Sequence, residues 1–533
     1  MFKENDDHKQ LKMFGFEDQF DKYRKRMLEN GWPALFYENV FSKIDEDTFS
    51  NMYSDKPSRP NFPINILISL EILKHLHNLT DQELIERFHF DLRYLKALGL
   101  QEIGKLTLGE RTIYEFRDRI AAYLKENENV LIDLFDNFVN NFIEEAGIST
   151  KIQRMDSSMV KANIKHLSRI QLVHKIAVNF IDVLPTHKQK KIHKNILNLF
   201  KDENFKEFVN KYSKDEVLEN ICGKLYDIKL RFKNDCELNE TKEYKQLCRV
   251  LEDQTIVSSQ EIQVKKDTDI ASDSLQNPAD EDATYRKKRN KSYQGYSVNI
   301  SETASKDNPI QMITDVKIEP NINSDVNFLN TNLSEIKAKT DLEKLIVDGA
   351  YYGPDTRVNS VKTDVEILPT ALTGRNPKYS TADFKIDPEK GVLHCPMNHS
   401  PIKTKYLENN DNYAAWFAKD LCENCENRNN CPVVEQKKNM TVRFSGSRHQ
   451  SDLLRTELKK PENEELKKLR PAIEGTFSAL KRAYGLEKLK VRGLLKASQS
   501  VLYKCIGYNF NQLVRGLKKG IIDEQKQELV VNS

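Results

Sequence analysis

Apolar residues keep helical spacing up to about residue 150 and again through 165–255, but between 296 and 318 they alternate. A chain that does both must build a sheet covered by helices. Ile64, Leu67, Ile68, Ile72, Leu73 and Leu76 show the first pattern, as do Val130, Leu131, Leu134, Phe135, Phe138 and Phe142. Tyr296-Ser297-Val298-Asn299-Ile300 shows the second, with 312–318 as its expected partner. An amphipathic helix over about 323–338 then leads to the apolar run Leu345-Ile346-Val347, and 365–368 reads as a further short strand. The order predicts an α/β sheet of mixed direction. Thr150–Val160 reads as a strand closing near Asp156. The breaker-rich stretch 256–282 reads as a linker loop.

At the N-terminus, Thr80-Asp81-Gln82-Glu83 has the form of a capping box. Thr112-Ile113-Tyr114-Glu115 has the same form and is expected to open a helix carrying Arg117 and Arg119. Short capped helices followed by an Arg-bearing one suit a helix-turn-helix-like DNA-binding unit, with Arg111, Arg117 and Arg119 as candidate contacts. Periodicity alone fits a plain helical bundle equally well.

Three carboxylates stand out by position. Asp156, followed by Ser157 and Ser158, and Asp348, followed by Gly349, each close an apolar strand, where open α/β sheets place ligands. Turn formation or helix capping is the plain alternative for either taken singly. Glu474 follows Pro471, which suits the first turn of a helix. Lys481 returns to nearly the same face, because seven residues sweep about 700°. Ile473, Phe477 and Leu480 would fix that helix against a core.

Together these segments resemble the DDE transposases of bacterial insertion sequences. The branch concerned has a third motif written Tyr-x2-Arg-x3-Glu-x6-Lys, which Arg470, Glu474 and Lys481 match and from which Lys467 departs at the Tyr position. Asp156-Ser157-Ser158 with Asn163, Asp282-Ala283 leading to Gly295-Tyr296, and Asp348-Gly349-Ala350-Tyr351 are similar to other family segments. Ser297 and Asn299 stand where the family commonly has Lys and His.

The resemblance implies a ribonuclease-H-like catalytic core, a mixed sheet flanked by helices, formed by 126–164, 283–369 and 451–515. It implies an all-α DNA-binding domain over 1–125. A helical insertion at 165–255, a small strand-rich Cys-containing insertion at 370–450 and a polar tail at 516–533 complete the plan. It further implies cleavage and strand transfer of double-stranded DNA with Mg²⁺ or Mn²⁺ held by Asp156, Asp348 and Glu474. Two ions about 3.5–4 Å apart suit such chemistry. Arg470, Lys481 and Arg482 would then contact DNA. Joining two element ends in concert calls for a dimer or higher assembly on DNA.

Two other readings stay open: an inactive DNA-binding derivative, and a metal-dependent nuclease without strand transfer.

Net charge is only +3, yet basic residues gather at 285–291 and 481–492. For each cluster a solvated face is the plain reading. The N-terminus lacks an apolar leader and no apolar run is long enough for a bilayer, so a cytoplasmic, nucleoid-associated protein without membrane contact is expected. Of eight cysteines, Cys395, Cys422, Cys425 and Cys431 fall close together. They offer a candidate structural Zn²⁺ site, with His399 as an alternate ligand, or else simply pack. Cys222, Cys236, Cys248 and Cys505 read as packing residues.

Overall fold

A computed structural model describes residues 1–533 apart from 11–14, 55, 57–58, 128–129, 259–260, 289, 521 and 523–533. Helix α1 (Ile64–Leu76) is apolar on nearly every side and buried over most of its length. Such a helix must sit inside a core. Its first amides need acceptors, and the buried carboxylate of Glu46 receives those of Ile64 (2.8 Å) and Asn65 (3.3 Å). Helix α2 (Asp81–Phe90) opens with the expected capping box at Thr80. Helix α3 (Glu110–Leu124) starts earlier than expected, capped at Gly109, so Thr112 lies inside its first turn rather than before it. Helix α4 (Val130–Ala146) leads into the sheet.

The main sheet comprises β1 (Ile152–Lys161), β2 (Thr284–Lys288), β3 (Lys291–Thr303), β4 (Ile313–Pro320), β5 (Lys344–Val347) and β6 (Glu366–Pro369). Its order is β2-β3-β1-β5-β6, with β4 also paired to β3. The β1–β3, β2–β3 and β3–β4 pairings are antiparallel, while β1–β5 and β5–β6 are parallel. Helix α5 (Asp325–Lys339) connects β4 to β5, and α6 (Pro354–Thr363) connects β5 to β6. The mixed sheet with flanking helices is the expected one.

Alternation decides which face meets what. Tyr296, Val298 and Ile300 of β3 enter a large core with α1, α3, α4 and two late helices, α7 (Ala472–Ala483) and α8 (Leu494–Lys518). Met155, Leu345 and Val347 face the other way, onto Phe328, Leu329 and Leu333 of α5. Helix α8 is buried along most of its 25 residues and packs on α1, α4 and β4. Its Asn509 completes the edge of β4, accepting from the Ile313 amide (2.9 Å) and donating to the Ile313 carbonyl (2.7 Å). The N-terminal helices therefore share one core with the sheet.

The insertion over 165–255 is helical as expected, but its core is its own, built from residues such as Phe180, Ile221, Leu225 and Leu247. The stretch expected as a loop after it contains a hairpin, Thr255–Ser258 with Glu261–Val264, whose Ile262 and Val264 pack on that core. The Asn277 amide donates to the Lys165 carbonyl at 2.9 Å, closing the insertion at its neck. Between β6 and α7 lies the strand-rich unit expected there. It has a hairpin (Lys385–Asp387 with Gly391–His394) and a four-stranded sheet over Lys403–Leu407, Asn412–Phe417, Val434–Glu435 and Met440–Ser445. Helix α8 runs through 516–518, so the expected tail begins later; most of it, 523–533, lies outside the described residues.

Among the described residues no helix is long and apolar enough to cross a membrane. Cys222 and Cys505 are buried as packing residues, whereas Cys236 is exposed.

Candidate active site

Asp156 sits in the middle of β1, opposite Ile300, and does not close the strand. Ser157 and Ser158 continue the antiparallel ladder against Asn299 and Val298, because small hydroxyl residues do not stop a strand when a partner is available. The reason for a site here lies on the other edge. Parallel pairing of β1 with β5 covers only Ile152 to Arg154, and β5 ends at Val347. Asp156 therefore faces the gap beyond the end of β5, and Asp348 follows directly on that end. The turn after Asp348 needs glycine. A Cβ on Gly349 would lie 2.3 Å from the Ala371 carbonyl oxygen. Pro471 stands at the N-cap of α7, one position earlier than expected, which puts Glu474 in the first turn.

Arg470 joins the three carboxylates. Its Nη2 lies 2.7 Å from Asp156 Oδ2 and 3.6 Å from Asp348 Oδ2, and its Nη1 lies 3.1 Å from Glu474 Oε1. Arg470 and Asp156 are largely buried, while the side chains of Asp348 and Glu474 are 53% and 66% exposed. Burial pushes the Asp156 carboxyl above its usual range. Arg470 and the Ser157 amide pull it back, and Asp348 and Asp325 push with the burial. Asp325, a fourth carboxylate that sequence reading missed, accepts from the Ser157 hydroxyl at 2.9 Å.

A buried brace holds the site together. Arg154, two residues before Asp156, donates from Nε to Glu302 Oε1 (2.6 Å) and from Nη1 to the Leu469 carbonyl (2.8 Å). Thr476, two residues after Glu474, donates to Glu302 Oε2 at 2.7 Å. Glu302 is fully buried, so it is stable there only with these partners. The brace ties β1, β3 and α7 together directly behind the carboxylates. Nothing in the sequence marks Glu302, since its partners lie over a hundred residues away.

Lys481 is half-buried on α7. Burial pulls its ammonium down, Glu487 and Asp156 pull it up, and Lys288 and Lys291 push it down again. Arg482 lies exposed beside Ser478. Asn163 is tied to the segment after α7 through the Lys490 carbonyl (3.1 Å) and Arg492 (2.8 Å). Asp280 and Asp282 receive the first amides of α8, and Tyr296 donates to Asp280 at 2.7 Å. The segment around Asp282 and Gly295-Tyr296 thus fastens α8.

Of the three N-terminal arginines, Arg117 is held within the helical unit. It pairs with Glu71 (2.7 Å) and Asp81 (2.6 Å). Arg119 lies 4.6 Å over the Tyr53 ring. Arg111 is exposed beside Glu115.

Cys395, Cys422, Cys425 and Cys431 line one small cavity with His399 and Phe417. Burial pushes the Cys422 thiol up to about 11, and the other three cysteines add to it. The His399 amide donates to Cys395 Sγ at 3.4 Å. Among the described residues, no group of three or more His, Cys, Asp or Glu side chains is arranged tightly enough to hold a metal ion as it stands. This holds for the thiols and for the carboxylates gathered on Arg470.

Comparison with known proteins gives two family matches. A transposase DDE domain matches residues 394–514, a range that includes the four clustered cysteines, Arg470, Glu474 and Lys481. A transposase domain (DUF772) matches residues 23–119. Asp156 and Asp348 fall in neither. No curated protein and no solved structure matches the chain. The two family matches indicate a DDE-type transposase of the insertion-sequence kind.

Proposed function

We propose that the chain binds the terminal repeats of its insertion sequence and carries out metal-dependent strand cleavage and strand transfer into target DNA, using Asp156, Asp348 and Glu474 on a ribonuclease-H-like core. The observation that carries this reading is the convergence of the three carboxylates on Arg470, one from mid-strand, one from a strand end and one from a helix's first turn. Four strands in antiparallel pairings, β1 to β4, followed by the parallel β5 and β6 support the fold.

The donor set suits a hard divalent cation, since three carboxylates share a single guanidinium and all offer oxygen. Mg²⁺ or Mn²⁺ bound there supplies charge stabilisation at the entering and leaving oxygens of a phosphoryl transfer. The chain's own residues do the rest. Buried Asp156 takes the central position, and Asp348 and Glu474, both open to solvent, leave room for the scissile phosphate. Arg470 can exchange carboxylate oxygens for phosphate oxygens, to which a guanidinium binds with matching geometry. The Arg154–Glu302–Thr476 brace keeps β1 and α7 in register. Lys481 and Arg482 face DNA from the same helix, and Arg111 and Arg119 are the exposed cations of α3. At least two copies act together on paired element ends.

The test is cleavage of DNA carrying the element's own ends with Mg²⁺ or Mn²⁺, comparing wild type with Glu474→Gln. Metal-dependent 3′-hydroxyl ends from wild type alone, followed by joining to target DNA, are expected. Cleavage without joining would make the protein a nuclease. Binding to the ends without cleavage would make it a DNA-binding derivative.

For the cysteine unit we propose one structural Zn²⁺ on Cys395, Cys422, Cys425 and Cys431. The shared cavity, the amide–sulfur bond at Cys395 and the thinness of the surrounding core support it. The four sulfurs would draw closer together on binding. Stoichiometric zinc in purified protein, and melting lowered by chelation, are expected. Zinc-free protein that melts unchanged after chelation would refute the site.

A further inference from the structure

Of the basic cluster at 285–291, residues 285–288 and 291 lie at the outer end of a two-stranded ribbon. Strands β2 and β3 pair from Thr284↔Gly295 out to Lys288↔Lys291, beyond the body of the sheet. Lys287, Lys288 and Lys291 are all exposed there. A ribbon tip carrying three cations is a common solvated feature, so its position decides its meaning.

Two observations place it. The β1–β3 ladder runs from Asp156↔Ile300 to Lys161↔Gly295, where the β2–β3 ribbon begins, so the ribbon prolongs the edge that carries Asp156, and the charges of Asp156, Lys288 and Lys291 all act on Lys481 of the active-site helix. At the root of the ribbon, β1 ends at Lys161, which pairs with Lys488, and the Lys161 amide donates to the Glu487 carbonyl at 3.0 Å. Lys161 and Lys488 at the root, Lys481 on the helix and Lys287, Lys288 and Lys291 toward the tip make a belt, and among the described residues none of them has a carboxylate within ion-pair distance. Glu487 is the acidic group facing it, and it acts on Lys481 from a distance. Some lysines elsewhere are paired, as at Lys317–Glu335, Lys344–Glu366 and Lys419–Glu435, so what sets this group apart is its position beside the carboxylates.

Unpaired like charges repel and raise the energy of the folded chain unless a polyanion meets them. Five residues separate Asp156 from Lys161 along β1, about 17 Å at strand rise. That is the length of about five nucleotide steps along one strand of duplex DNA.

We propose that this lysine belt, with the ribbon tip as its outer arm, is the track on which the phosphodiester backbone of duplex DNA lies as it leaves the carboxylates. The inference rests on the transposase reading and adds the path of the DNA flank. The contacts go to phosphates, so they fix position without reading sequence.

The test measures binding of a duplex lacking any element end, across a salt series, by wild type and by a variant with Lys287→Gln, Lys288→Gln and Lys291→Gln. Each lost phosphate contact lowers the slope of log K against log salt by about 0.9, so the triple variant is expected to be shallower by roughly 2–3. A control with Lys190→Gln and Lys191→Gln on the insertion should keep the wild-type slope. Because the triple variant can fail to fold, lysine acetylation of wild type gives a second readout. The duplex should protect Lys287, Lys288, Lys291 and Lys488 and leave Lys190 and Lys191 reactive. An unchanged slope, or no protection at the ribbon, overturns the belt while end cleavage stays intact. Absent end cleavage with the slope change intact overturns the transposase reading and leaves the belt standing.

Discussion

Two helical regions of this chain look alike in sequence and differ in what holds them. The N-terminal helices and the insertion over 165–255 both carry apolar residues at helical spacing, capping boxes and many charges. The N-terminal helices close their core with the sheet and α8, so Phe36 meets Phe510 with ring centroids 5.3 Å apart. The insertion closes its core alone and joins the rest at a neck stapled by Asn277 and Lys165. Amphipathic pattern tells that a face is buried, but not against what. The partner decides whether a block is an organ of the core or an appendage.

The largest expected effect comes from removal. A chain lacking 1–125 should not fold, whereas joining Lys165 to Asn277 through a short Gly/Ser linker should leave a cooperatively folded core, as judged by circular dichroism and protease resistance. A core that collapses on loss of the insertion would erase the distinction.

Next come single cavities. Phe510→Ala should cost about 3–5 kcal/mol and lower the main melting transition. Phe180→Ala removes a ring of similar burial but should lower only a separate transition belonging to the insertion. One shared transition in both variants would show that the neck couples the two cores.

A pH series separates the regions by charge. Buried Lys504 on α8 is pulled down to about 7, chiefly by burial, with Lys490 and Lys74 adding to it. Its folded value lies below its unfolded one, so the unfolded chain binds the extra proton between about pH 7 and 10. Stability of the main core is therefore expected to rise through that window. Lys504→Met should flatten the rise in urea melts, and the insertion's transition should not share it.

The smallest effect compares two capping boxes. Thr80→Ala and Ser213→Ala each remove equivalent bonds, from Thr80 and Ser213 to the helix amide three residues on. Each should cost about 1 kcal/mol. Thr80→Ala should move the main transition, and Ser213→Ala only that of the insertion.

Much of the site could be read from the residues. Glu474 and Lys481 share one helix and Arg470 lies just before its N-cap, so their relation is local and needs no tertiary knowledge. Asp348 was legible because a short apolar strand followed by Asp-Gly ends visibly. Asp156 was misplaced at a strand end because Ser157 and Ser158 look like a stop until Val298 and Asn299 are seen pairing with them. Glu302 and Asp325 were invisible for another reason. Each is an ordinary acidic residue whose meaning comes from partners far along the chain. Arg117 looked like a free cation for the same reason, its partners Glu71 and Asp81 lying on other helices. The hairpin at 255–264 was taken for loop because its apolar side faces a core that short periodicity cannot reveal.

Helix α8 has a bearing on how the protein is made. Its residues, Leu494–Lys518, leave the ribosome long after those of α1 and α4, yet they fill the space between α1, α4 and β4. The N-terminal helices must wait for α8 before their apolar faces are covered, while the insertion can settle as soon as its own residues emerge. A message cut short before Leu494 is thus expected to leave behind a folded insertion but no lasting N-terminal fragment.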